Sequence, residues 1–258
     1  MSDHQSAKGA TKVALVTGGA KRLGFEFAKA MARAGYAVAI SYRTSETEAR
    51  AALDFLRKEE GARAEAFRAD LAADGAPLKL LEEIFSSSLF ASSPPRLDAL
   101  VHAASPWIPK PFSSVTVSEW EAVFRAGPRA AFFLAQAAAP SLARASGSIL
   151  FISDVAAMQA WPSHIPHAAA KAAINALVRN LAVALGPEVR VNAIAPGVVM
   201  PPAEMSAEAV AALVARTPLA RKVGVEDLTA MALAVLENRS MTGQIVTVDA
   251  GRSLRGEA

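Results

Sequence analysis

The sequence predicts an α/β protein: a doubly wound, seven-stranded parallel sheet with helices on both faces. Three observations predict it. Short β-rich apolar runs alternate with longer segments of helical periodicity along the chain. Gly35 and Gly61 stop the first two helical segments, as C-terminal glycines do. A glycine-rich stretch, Thr17 to Gly24, joins the first strand to the first helix.

The elements follow in order. Val13–Val16 is the first strand, with a helix over Leu23–Ala34; Ala37–Ser41 is the second, with a helix over Glu46–Glu60. Ala64–Arg68 is the third strand, then a helix over Leu78–Ser87 and a Ser/Pro loop to a fourth strand at Leu97–His102. One long helix is expected over Ser118–Ala139, then strand five at Ser148–Ile152 and an Ala-rich helix over Ser163–Leu185. Val189–Ile194 is strand six, Ala207–Arg216 and Val225–Leu236 are helical, and Ile245–Val248 is the last strand.

With 258 residues, 52% of them hydrophobic, and no linker or charge block, residues 12–258 read as a single domain behind a polar segment, 1–11. No cysteine is present, which excludes disulfides and thiol catalysis and leads to an expected cytoplasmic location. The net charge is +3, without the dense basic run of a nucleic-acid face, so no nucleic-acid partner is expected. The longest apolar runs, such as Ala130–Pro140, are too short to cross a bilayer, so no membrane partner is expected either. His164 and His167 are three apart but lack a distinct third ligand, and no metal is expected.

Thr17-Gly18-Gly19-Ala20-Lys21-Arg22-Leu23-Gly24 has the strand–loop–helix context that lets a helix N-terminus receive a diphosphate. The second strand ends in Ser41-Tyr42-Arg43-Thr44-Ser45, where dinucleotide folds usually place an acid for the NAD ribose. A carboxylate would repel a 2′-phosphate, whereas Arg43, helped by Arg22, can bind one, so the expected cofactor is NADP(H). Asp70 and Leu71, after the third strand, suit the adenine edge.

These pieces, with Asp154…His167…Lys171, Val191-Asn-Ala-Ile-Ala-Pro-Gly197 and Thr242-Gly243-Gln244…Asp249-Ala-Gly251, resemble the short-chain dehydrogenase/reductase family over nearly the whole length, a Rossmann-like fold. Arg22 in the phosphate loop, the Tyr42-Arg43-Thr44-Ser45 run and Asp154 are similar to the pteridine and dihydromonapterin reductase branch. The resemblance implies cofactor contacts from Ala103, Ala104 and Ser105 after strand four and from Pro196, Gly197 and Val198 after strand six. It also implies a substrate lid over about 199–216 and a homotetramer or homodimer. Trp107 would either lie against a flat heterocycle or cover the pocket mouth.

In the family a helix carries Tyr-x-x-x-Lys: the lysine binds the nicotinamide ribose and the phenol protonates the substrate as hydride arrives. The resemblance places His167 at the tyrosine, Gly127 at a helix asparagine, Asp154 at the assisting position and Lys171 at the lysine. Asp154, His167 and Lys171 are the expected catalytic residues, with Trp107 beside the substrate. Lys171, one turn from His167, opposes an imidazolium there, and Asp154 favours it. The expected function is NADPH-dependent reduction of a carbonyl or C=N in a small, pterin-like substrate. The alternative is a catalytically silent NADP(H) binder acting as a sensor or oligomer partner.

Overall fold

The computed structural model describes residues 11–254. Residues 1–10 of the expected N-terminal segment, and residues 255–258, lie outside the described residues. Seven strands, β1 (Val13–Thr17), β2 (Ala37–Tyr42), β3 (Ala64–Arg68), β4 (Ala99–His102), β5 (Ser148–Ile152), β6 (Arg190–Pro196) and β7 (Ile245–Val248), form one parallel sheet in the order 3-2-1-4-5-6-7. Every adjacent pair is parallel, with β1 matched to β2 at Leu15–Ala39 and to β4 at Leu15–Leu100.

Both faces of such a sheet need cover, which explains why β1, β4 and β5 are buried at every position and apolar at all but Thr17, His102 and Ser148. On one face lie α1 (Arg22–Arg33), α2 (Glu46–Lys58) and α8 (Val225–Glu237), meeting the sheet through Phe27, Met31, Leu56 and Leu228. On the other lie α3 (Ala76–Ser86), α5 (Ala130–Ala143) and α6 (Ile165–Leu185), through Leu80, Ile84, Leu134, Ile174 and Val178. Each of these large side chains, fully buried, contributes about 1.5–3 kcal/mol.

The single helix expected over Ser118–Ala139 is instead two. α4 (Val117–Phe124) starts at a capping box, Thr116 and Glu119, and ends in a wide turn over Arg125–Arg129 before α5 begins. Pro128 has no N–H for the carbonyl four residues back, and Gly127 leaves helical geometry at φ −91°, ψ −108°. The expected helix from Ser163 starts at Ile165, after a short 3-10 turn over Pro162–His164.

α6 also corrects the expectation that no apolar segment has bilayer-crossing length. The stretch Pro162–Leu185 is 24 residues long with mean hydropathy 1.3 over its most apolar window. That composition serves packing: Ile174, Val178 and Leu181 face the sheet, and the helix carries Lys171 inward. α7 (Ala207–Ala215), capped by Ser206, buries none of its residues, as befits an element outside both layers.

The turn after β1 depends on absent side chains. Gly18 has φ +65°, and a Cβ on Gly24 would stand 2.0 Å from the Gly18 carbonyl oxygen. The helix therefore starts in direct contact with the turn. Gly24→Ala is expected to lower stability by about 2–3 kcal/mol, visible as a Tm drop of roughly 4–12 °C in a thermal melt.

Candidate active site

Parallel strands end on one side of the sheet, and the crevice opens where the chain leaves β1 towards β2 and β4 in opposite directions. A cleft of about 220 Å³ lies there, lined by Gly18, Ala20 and Lys21 from the loop, Ser41, Tyr42, Arg43, Thr44 and Ser45 from the end of β2, and Asp70 and Leu71 after β3. Ala104, Ser105 and Pro106 close its inner wall. The run 42–45 adds no carboxylate, and its Arg43 is exposed at the rim.

Thr17, Leu23, Gly24 and Ala103 stand behind this lining rather than in it. Thr17 is wholly buried, and its hydroxyl accepts from the Ala104 N–H at 3.4 Å. Arg22, expected beside Arg43, adopts φ 51° and donates to the Met200 carbonyl, linking the loop to the segment after β6. Pro196 is the last residue of β6, Gly197 and Val198 follow it, and none of the three is part of the cleft lining. A Cβ on Gly197 would stand 2.7 Å from Asp249 Cα, so the strand end is pressed against the turn after β7.

At the inner end, Asp154, His167 and Lys171 come together. His167 Nε2 and Asp154 Oδ2 are 3.2 Å apart, while Asp154 Oδ1 accepts from the Ala156 N–H at 2.8 Å, which fixes the carboxylate. Lys171 Nζ donates to the Ile152 carbonyl at 2.6 Å. Burial pushes the Lys171 ammonium down to about 8, against the pull of Asp154. Among the described residues no group of three or more His, Asp or Glu could hold a metal ion.

An aromatic wall covers this trio. The Trp107 ring is 4.6 Å from His167 and 4.7 Å from His164, centroid to centroid, and Trp161 meets His164 at 5.6 Å. The Arg252 guanidinium lies 5.1 Å over Trp161. His167 is only 4% exposed and its Nδ1 has no hydrogen-bond partner. Burial lowers the His164 imidazole, and the neighbouring His167 adds to that effect.

Residues 18–253 match the family model described as enoyl-(acyl carrier protein) reductase. The chain belongs to the short-chain dehydrogenase/reductase family. It is 36% identical to the hydroxynaphthalene reductase-like protein Arp2 of Metarhizium guizhouense, over 73% of this chain and 68% of that protein. An uncharacterised oxidoreductase of Methylorubrum extorquens is 31% identical over 93% of this chain and 97% of its own length. Among solved structures, the FolM alternative dihydrofolate reductase 1 of Brucella canis, complexed with NADP, superposes with a TM-score of 0.84 at 28% identity, covering 96% of each chain. The chain is thus an oxidoreductase of the short-chain family, with that family's single-domain seven-stranded sheet.

Sequence reasoning missed Trp161 and Pro106, quoted Ala20 in the glycine loop without counting it as a contact, and above all missed His102. This histidine ends β4, is 3% exposed, and holds its Nδ1 2.9 Å from Thr17 Oγ1. Burial, then the Lys171 ammonium, push it down to about 3 from 6.5, against a smaller upward pull from a Gly127 backbone group. Because the folded value lies below the unfolded one, the unfolded chain takes up the proton first. The stability that this histidine confers is complete above pH 6.5 and is lost as pH falls towards 3. Denaturant titrations between pH 7 and 4 should show that loss, and His102→Asn should flatten the slope.

Proposed function

We propose that this short-chain oxidoreductase is NADPH-dependent and reduces a carbonyl or C=N group in a small, flat, pterin-like substrate. The observation that carries this reading is the end of β2, where Arg43 stands beside Tyr42, Thr44 and Ser45 in a cleft shared with Lys21. A guanidinium there favours a 2′-phosphate by a charge-assisted hydrogen bond, and an acid in its place would oppose one. The NADP in the Brucella canis relative supports the same choice.

The glycine contacts fit a diphosphate, because Gly18 and Gly24 keep the loop backbone clear of side chains. In this reading Thr17, Gly18, Lys21, Arg22, Leu23 and Gly24 form the phosphate cradle, and Asp70 and Leu71 flank the adenine. Ala103, Ala104 and Ser105 wall the crevice, Lys171 holds the nicotinamide ribose, and Pro196, Gly197 and Val198 receive the nicotinamide amide. The nicotinamide supplies the hydride. His167, held 3.2 Å from Asp154, is the group placed to give a proton to the substrate oxygen or nitrogen, and Asp154 orients its ring. Trp107 offers the flat substrate an indole face. The segment 199–216 acts as lid, and the working unit is a cytoplasmic homotetramer.

A second reading, a silent NADP(H) binder, draws on one observation: Trp107 packs against a His167 that is almost wholly buried. Activity with dihydropterins and small ketones separates the two. Turnover should fall by about 10²–10⁴-fold in His167→Phe. Undiminished turnover in that variant would sink the proton role, and tight NADPH binding without turnover, restored by His167→Tyr, would support silence.

Two binding predictions follow from the charges. Arg43→Ala should weaken NADPH at least tenfold in a fluorescence titration and leave NADH little changed. Lys171 carries its charge below about pH 8, so NADPH affinity should hold from pH 6 to 8 and decline from 8 to 10.

A further inference from the structure

We propose a second ligand site at the amino ends of the strands, on the opposite side of the sheet from the nucleotide cleft. It takes a small organic anion, a phosphate monoester or a carboxylate, held by the Tyr36 hydroxyl and the Arg239 guanidinium. The site is independent of the cofactor reading, and the proton-transfer scheme uses none of its residues.

A cavity of about 700 Å³ lies there, where segments far apart in the chain converge. Lys12 precedes β1, Tyr36 precedes β2, Asp98 precedes β4, Arg190 opens β6 and Arg239 follows α8. Sites for small organic ligands measure roughly 300–1,000 Å³, so the space is ample. Doubly wound sheets bind their ligands beyond the carboxyl ends of the strands, and this cavity lies at the other end.

Tyr36 shows that a polar partner belongs in it. The residue is 5% exposed, and its ring is part of the core between the sheet, α1 and α8. Its hydroxyl has no hydrogen-bond partner among the described residues and is not one of their sealed polar atoms, so it opens into the cavity. Burial, with the Glu237 and Asp98 carboxylates, pushes the phenol up to about 12, so it meets a ligand as a donor. A ligand oxygen there relieves the cost of a buried hydroxyl left unpaired.

The surrounding charges select an anion. Asp98 is answered by Arg96, with Nη2 2.6 Å away, and by the Val13 N–H at 2.9 Å. Glu237 has Lys12 at 3.8 Å, and that ammonium also lies 5.2 Å from the Tyr36 ring centre. Arg190 and Arg239 are left against one unpaired carboxylate, Glu188. Arg190 is spent as a donor, since it holds the carbonyls of Val235, Leu236 and, at 2.7 Å, Asn238 at the end of α8. Its charge is not spent: burial weakens its hold on the proton, Tyr36 opposes that, and Arg239 adds to it. Arg239 is exposed and makes no ion pair or side-chain hydrogen bond among the described residues, so its planar fork is free to grip two oxygens at once. Pro187 and Leu236 give the cavity an apolar edge for the organic part of the ligand.

The test is calorimetry on the whole chain with glycerol 3-phosphate and with citrate at matched ionic strength. At least one should bind with a Kd of about 1 mM or tighter, and the tighter of the two tells phosphate from carboxylate. Arg239→Ser should weaken that binding about tenfold and Tyr36→Phe about threefold, because each removes a donor. Glu188→Gln, which removes the opposing charge, should tighten it about twofold. Arg43→Ala, at the far cleft, should leave it unchanged. Binding of neither anion overturns the proposal, as does full affinity in both Arg239→Ser and Tyr36→Phe. Binding that survives Arg239→Ser and is lost in Arg43→Ala places the anion in the nucleotide cleft and overturns it too. NADPH titration of the unaltered protein decides the cofactor reading separately.

Discussion

The architecture turns on how closely β1, its turn and α1 can approach one another. The Gly18 carbonyl occupies the space that a Gly24 side chain would need, and the same turn presses on Ala104 after β4. Because β1 is an inner strand, flanked by β2 and β4, that one approach sets the crevice to which the whole carboxyl side of the sheet contributes. A cleft made this way presents backbone rather than side chains to an anion. Specificity is then left to the residues at its rim.

The inner end of the crevice works by the opposite means, through charges held away from water. Lys171 is enclosed and keeps a depressed affinity for its proton, while the Ile152 carbonyl and Asp154 keep the ammonium tolerable. Asp154 is tied down by the Ala156 amide and faces His167. Two imidazoles at different depths meet different fates: His102 is locked neutral, and His167 has a carboxylate for a partner. Environment, not residue type, separates their roles.

Much of this was legible in the residues. The inner strands announced themselves as apolar runs, because a parallel sheet covered on both faces leaves few polar positions, and the glycine loop marked where a nucleotide goes. The kink at Gly127-Pro128 carried its own signal, a proline that cannot donate to the helical ladder, yet the surrounding helical periodicity outweighed it. His102 was opaque for a different reason: at a strand end a histidine looks like any core residue, and its partner, Thr17, is far away in sequence. Arg22 was misjudged in direction, since no pattern shows that its guanidinium is taken up by the Met200 carbonyl.

The strand order also has a consequence for how the chain is made. β1 pairs on one edge with β2, some twenty residues on, and on the other with β4, where Ala14 lies beside Ala99. At translation speeds of roughly 5–20 residues per second, the inner edge of the first three-stranded half therefore stays exposed for several seconds after that half has emerged. An apolar, unpaired strand edge is a template for the wrong partner, so newly synthesised molecules should owe their yield as much to shielding on the ribosome as to the stability of the finished sheet.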